Sequence, residues 1–113
     1  MDDFFKVQIN EDTWNIYLVS DDDNVISDED SAAETDFESK EIHFRRGNIN
    51  LNLIMHELWH VYFGYCYLQH TADIGLGDME EITAALFADK AEKIIVRSKE
   101  IYAQLLEMRK TNG

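Results

Sequence analysis

A chain of 113 residues and 13.2 kDa has the size of one domain with one hydrophobic core, so we expect residues 1–113 to form a single domain. Hydrophobic residues make up 45% of the chain, but no run of 18 apolar residues occurs, so we expect no membrane-spanning helix. The formal net charge of −13 and the pI of about 4.4 disfavour direct binding to DNA or RNA.

Cysteine usage and the first residues bear on the compartment. Cys66 is the single cysteine, so a disulfide within this chain is excluded, as is typical of proteins in a reducing environment. The start of the sequence is rich in aspartate and lacks the basic and apolar segments of a signal peptide. We therefore expect a cytoplasmic protein.

Three strands are predicted in the first half of the chain. Residues 4–9 and 14–19 carry aromatic and β-branched residues, with alternating positions in the second run, and residues 10–12 make a turn between them. We expect these two strands to form a hairpin. Residues 40–44 predict a third, short strand, which Gly47 ends.

The net charge is concentrated in one segment. Residues 21–38 hold nine acids and no base, and the rest of the chain carries 14 acids against 10 bases. We predict a solvated, mobile loop that lies away from any functional site. The alternatives are a mimic of nucleic-acid charge, a surface that recruits a basic protein, and a calcium loop. The segment lacks the glycine and the terminal glutamate spacing of an EF-hand, which argues against calcium.

Two helices are predicted in the second half. Residues 49–68 carry an apolar stripe at spacings of four and three, and a second helix over about 79–109 follows a glycine-containing loop, with Asp78 as its N-cap. The stripe of the second helix runs from Phe87 to Met108. It either packs on the chain's own sheet or pairs at its end with a partner chain, which would make a homodimer.

His56, Glu57 and His60 form an H-E-x-x-H motif in the first of these helices. Residues four apart project from one face of a helix, so the two imidazoles can occupy two corners of a tetrahedral zinc site. The glutamate points to a different side of the turn, where it can act as a general base toward a water molecule.

A catalytic site with two histidines needs one further acid from elsewhere in the chain. Glu80 and Glu81 begin the next helix, 20 and 21 residues after His60. Adjacent helix positions are about 100° apart, so only one of the two should face the metal, and we favour Glu81. The competing candidates for the third ligand are Cys66, His70, Asp73 and Asp78.

The order of these features resembles the minimal gluzincin-like peptidases of the ImmA/IrrE type, which include short proteins of phages and mobile elements. The resemblance covers about residues 33–95. Its elements are Thr35-Asp36-Phe37, a strand at residues 41–44, the His56-Glu57-x-x-His60 motif, Glu80-Glu81 and Phe87-Ala88.

The resemblance implies a zincin-like fold and one zinc ion per chain, bound by His56, His60 and Glu81, with Glu57 as the base. The chain departs from the pattern twice. Trp59 stands inside the motif where such proteins often carry a small residue, and Ala85 stands where an acid or amide often orients a ligand histidine.

We therefore expect an α+β protein in which about three strands pack on an active-site helix and a long C-terminal helix. Its expected function is zinc-dependent hydrolysis of peptide bonds, with a protein or peptide substrate pairing along the strand at residues 42–44. The alternative is a non-enzymatic acidic binding protein with a structural or vestigial zinc site. The candidates for the donor that stabilises the oxyanion are Tyr62, Tyr65, Tyr67 and His70.

Overall fold

The computed structural model describes residues 3–67 and 76–111 and, within these ranges, the side chains of all but residues 3, 63–67, 76–80, 82 and 86. These residues form one sheet and two long helices, with a single 3-10 turn, Arg46–Asn48, between the last strand and the first helix. The elements are β1 (Asp3–Ile9), β2 (Asp12–Val19), β3 (Ala33–Asp36), β4 (Glu41–Arg45), α1 (Leu51–Tyr67) and α2 (Leu76–Thr111).

The sheet is mixed, with the strand order β1-β2-β4-β3. β1 and β2 are antiparallel, β2 and β4 are parallel, and β3 is antiparallel to β4. The predicted α+β class is confirmed, but the predicted number of about three strands is wrong. The additional strand is β3, which lies inside the acidic segment and lacks the apolar alternation of a typical strand.

Because β3 takes the outer position, β4 lies inside the sheet. The prediction that residues 42–44 form a free edge for an extended peptide is therefore wrong. The free edge on this side of the sheet, within the described residues, belongs to β3.

The predicted hairpin of β1 and β2 is confirmed. Ile9 pairs with Asp12, so the turn consists of Asn10 and Glu11. Asn10 has φ 58°, in the left-handed region that asparagine tolerates better than most residues.

Helix α1 begins where its sequence provides a cap. Asn50 Oδ1 accepts a hydrogen bond of 2.9 Å from the Leu53 N–H, one of the N–H groups that the helix itself leaves unpaired. Helix α2 begins at Leu76, so the predicted N-cap at Asp78 is wrong. An aspartate is favourable both at the N-cap and in the first turn, where the helix dipole attracts it, so the sequence does not distinguish the two positions.

The core lies between one face of the sheet and the two helices. The apolar stripe of α1 is confirmed by the buried Ile54, Leu58 and Val61, and Tyr65 and Leu68 lie outside the described side chains. The stripe of α2 is buried from Ile94 onward, so this part packs on the chain's own core. Within the described ranges, no helix has the length and apolar character needed to cross a membrane. The buried core residues of the sheet are Ile9, Trp14, Ile16, Leu18, Ile42 and Phe44, and those of α2 are Ile94, Ile101 and Leu105.

Arg45, the last residue of β4, is buried and binds the backbone of the acidic segment. Arg45 is only 4% exposed, and its guanidinium donates five hydrogen bonds to main-chain carbonyls of the loop between β2 and β3. An arginine side chain has five N–H donors, so all of them are used. The accepting carbonyls, at 2.7–3.4 Å, belong to Asp21, Asp23, Ile26, Asp28 and Ser31.

A glycine completes this arrangement after β4. The Gly47 N–H donates a 2.7 Å hydrogen bond to Asp21 Oδ1, and a Cβ at position 47 would lie 2.6 Å from Asp21 Oδ2. A residue larger than glycine here would therefore require the Asp21 carboxylate to shift. The loop expected at residues 21–38 is confirmed up to residue 32, and it surrounds Arg45 with its backbone while many of its acids remain exposed.

We predict that Arg45→Lys destabilises the protein by at least about 2 kcal/mol, because lysine has three donors in a different geometry and would leave buried carbonyls unpaired. Urea denaturation at neutral pH measures this free energy of unfolding. The matched control is the double substitution Glu29→Gln with Asp30→Asn, which neutralises exposed loop carboxylates and should leave the denaturation midpoint nearly unchanged. A larger loss in the control than in Arg45→Lys would show that the carboxylates, and not the carbonyls, hold the loop.

Candidate metal centre

The two histidines of the motif converge at the surface of α1. His56 Nε2 and His60 Nε2 are 3.1 Å apart, and the two rings meet nearly perpendicularly at 84°. Both residues are exposed. This arrangement follows from their spacing of four residues, which places them one above the other on the same helix face.

The separation of the two nitrogens is close to what a zinc ion requires. Two Zn–N bonds of about 2.0–2.1 Å at a tetrahedral angle place the nitrogens about 3.3 Å apart, so the imidazoles need to move by only a few tenths of an ångström. A hydrogen bond between one protonated and one unprotonated ring nitrogen has the same length. Metal content, and not the distance, distinguishes these two states.

Glu57 lies beside the histidine pair but is buried, with 7% exposure. Its Oε2 is 3.9 Å from His56 Nε2. Its other oxygen, Oε1, accepts a 2.8 Å hydrogen bond from the hydroxyl of Thr35. One ligand atom from each of Glu57, His56 and His60 lies within 4.8 Å of the other two, so the predicted trio is brought together.

Thr35 is the site residue whose role the sequence did not indicate. It belongs to β3, inside the segment that was predicted to lie away from the site, and that prediction is wrong at this position. In the sequence, Thr35 is marked only by its place in the Thr35-Asp36-Phe37 motif. Its contact with Glu57, 22 residues away, requires β3 to pair with β4 and to lie against α1.

The predicted third ligand, Glu81, lies on α2 and is exposed. Phe87, six residues later or about 9 Å further along α2, lines a groove together with His56. Glu81 is not among the residues grouped with His56, so its role stays a prediction. The side chains of the competing candidates Cys66, His70, Asp73, Asp78 and Glu80 lie outside the described residues.

An apolar groove of about 380 Å³ runs between α1 and α2 next to His56. Trp59 and Phe87 face each other across it, with ring centroids 6.3 Å apart. Phe87 is 61% exposed. The bulky Trp59 inside the motif, which departs from the resemblance, thus lines the groove beside the candidate ligands.

Tyr62, one of the candidates for the oxyanion donor, lies on a different side of α1. It stands about 140° around the helix from the mean direction of the two histidines. Its ring is buried, and it lines a separate groove with Gln8 and Asp89. Tyr62 is therefore poorly placed for this role. The side chains of Tyr65, Tyr67 and His70 lie outside the described residues.

Comparisons with protein-family models, with curated proteins and with solved structures found no match to this chain. The chemistry of its own residues therefore carries the functional argument.

We predict that protein purified without chelator binds close to one zinc ion per chain, and that His56→Ala removes it. Two converging neutral imidazoles are good zinc ligands, and the loss of one leaves too few donors. Elemental analysis before and after dialysis with zinc measures the content. Asn52→Ala changes an exposed α1 residue one turn before His56 and is the control. If wild-type protein takes up no transition metal, the prediction is wrong and the two histidines are joined by a hydrogen bond only.

We predict that Glu81→Ala weakens zinc binding far more than Glu80→Ala, because adjacent helix positions cannot both face the metal. Competition with a zinc chelator of known affinity measures both variants. The reverse order would make Glu80 the ligand. Small, equal effects would point to Cys66, His70 or an aspartate.

Proposed function

We propose that the protein is a zinc-dependent peptidase that hydrolyses a peptide bond with Glu57 as general base. The observation that carries this proposal is the arrangement of the side chains of His56, Glu57 and His60. His56 and His60 present their Nε2 atoms together at the surface, and the buried Glu57 keeps one carboxylate oxygen, Oε2, on their side. The zincin-like arrangement and the zinc ion itself are parts of the proposal.

The base function follows from the environment of Glu57. When bound at the histidine pair, a zinc ion would polarise the scissile carbonyl and acidify a water molecule. Glu57 Oε2 would take a proton from that water and pass it to the nitrogen of the leaving amine. The Glu57 side chain is nearly excluded from solvent, so bulk water competes little for its carboxylate.

The substrate path follows from the position of β3. An edge strand offers unpaired N–H and C=O groups along which an extended peptide can add as a further strand. Thr35, in the middle of β3, contacts Glu57, so a peptide paired along this edge would run past the base. The apolar groove lined by Trp59 and Phe87 would then receive an apolar side chain of the substrate.

The exposed acids of the loop favour a second candidate function, a non-enzymatic binding protein for a basic partner. The loop is held to Arg45 through its carbonyls, which leaves carboxylates such as those of Asp22, Glu29 and Asp30 exposed. A protein of this kind would bind zinc without hydrolysing peptides. Its affinity for the partner would fall with rising salt and with neutralisation of these acids.

The test of the peptidase proposal is Glu57→Gln in zinc-loaded protein, assayed on a mixture of peptides by mass spectrometry. Glutamine has the shape of glutamate but takes no proton, so hydrolysis should fall by about 100-fold or more. Zinc content should stay at the wild-type level because Glu57 is not a ligand. Loss of zinc in Glu57→Gln would overturn this assignment, and zinc-loaded wild type that cleaves nothing would favour the binding protein.

A further inference from the structure

The hydroxyl of Thr35 makes the single side-chain hydrogen bond recorded to Glu57 among the described residues. An ionised carboxylate only accepts hydrogen bonds, so the threonine is the donor and Glu57 Oε1 the acceptor. The bond is 2.8 Å long and joins the edge strand β3 to helix α1 across 22 residues of sequence. A hydrogen bond to a charged group in a partly buried place is among the stronger ones in proteins.

We infer that Thr35 is the positioning residue of the base, and this inference rests on the proposed peptidase function. The terminal torsion of a glutamate is broad, so a carboxylate without a fixed partner samples many orientations. Thr35 engages Oε1 and so holds the plane of the carboxylate. The remaining oxygen, Oε2, is then kept 3.9 Å from His56 Nε2, on the side where water and substrate would lie.

A purely structural tie between β3 and α1 is the competing explanation, but β3 is held by other contacts as well. Its backbone pairs with β4 from Ala33 to Asp36. The backbone N–H of Arg45 donates to the Ala32 carbonyl at 2.9 Å. Beyond the strand, Asp36 Oδ1 accepts the N–H groups of Glu38 and Ser39. The strand should therefore keep its place without the Thr35 hydroxyl.

The turn after β3 is held by the Asp36 carboxylate and does not involve the Thr35 hydroxyl. The hydrogen bond from the Ser39 N–H holds the pKa of the Asp36 carboxyl below its ordinary value. Valine at position 35 is also suited to a strand, because it is β-branched like threonine and has nearly the same shape. Thr35→Val thus removes the donor with little change in packing.

The experiment compares Thr35→Val, which lacks the hydroxyl, with Thr35→Ser, which keeps it. Thr13→Val is the matched control, since it makes the same change at an exposed position of β2. We expect Thr35→Val to lower kcat by about 10- to 100-fold. KM and zinc affinity should change by less than about twofold, because ground-state binding of substrate and metal does not involve the hydroxyl. Thr35→Ser should recover most of kcat, and Thr13→Val should match wild type.

A second measurement uses metal-free protein and needs no activity. The unfolding midpoints of Thr35→Val, Glu57→Leu and the double variant form a double-mutant cycle. Leucine, unlike glutamine, has no oxygen that accepts the hydroxyl, so each change removes one partner of the same hydrogen bond and the two midpoint shifts should be clearly non-additive. The pair Thr13→Val and Glu57→Leu should be additive.

The outcomes separate this inference from the proposed function. If wild type cleaves peptides and Thr35→Val keeps its kcat, or if valine and serine lower kcat equally, only the role of Thr35 fails. Additive midpoints in the cycle, or a loss of zinc affinity in step with kcat, would likewise overturn it. If zinc-loaded wild type cleaves nothing, the proposed function fails, and the positioning role fails with it.

Discussion

The contact between the Arg45 guanidinium and the loop carbonyls determines where the chain goes between β2 and β3. The loop leaves the end of β2, surrounds a buried cation and returns to the end of β4, so that β3 starts antiparallel beside it. Without a central partner, a segment so rich in acids would repel itself and have little apolar surface to bury. This side chain thereby helps to place the start of β3, and the pairing of β3 with β4 then brings Thr35 to Glu57.

The way the buried Arg45 cation is solvated also explains how the chain accommodates the many carboxylates of the loop. Five carbonyl dipoles, and not carboxylates, solvate the buried cation, so the carboxylates need not be buried with it. Within the loop, Asp23 and Asp28 each accept a backbone N–H two residues later, which shapes the turns locally. The negative charge is therefore displayed on the outside of the loop.

The candidate site combines two exposed histidines with a buried carboxylate, and the fold accounts for both. α1 packs its apolar stripe against the sheet, which leaves His56 and His60 on the solvent side. Glu57, one position round the helix, meets the edge strand and is covered by it. A metal could reach the histidines directly, while the carboxylate keeps a fixed partner and little contact with water. This asymmetry is compatible with the proposed role of Glu57 as a base.

The sequence by itself determined the features that depend on neighbours a few residues apart. The hairpin of β1 and β2, the core stripes of α1 and α2, and the convergence of His56 with His60 all follow from local spacing and turn chemistry. Only the tertiary structure decided that Ala33–Asp36 is the edge strand and that Thr35 meets Glu57, because strand pairing joins residues far apart in sequence. The role of Arg45 was hidden for the same reason, since its partners are main-chain carbonyls, which every residue carries and no sequence pattern marks. Which residues of α2 lie beside the histidines likewise depends on how the two helices pack. Helical periodicity predicts which face of a helix is apolar, but not the relative position of two helices along their axes.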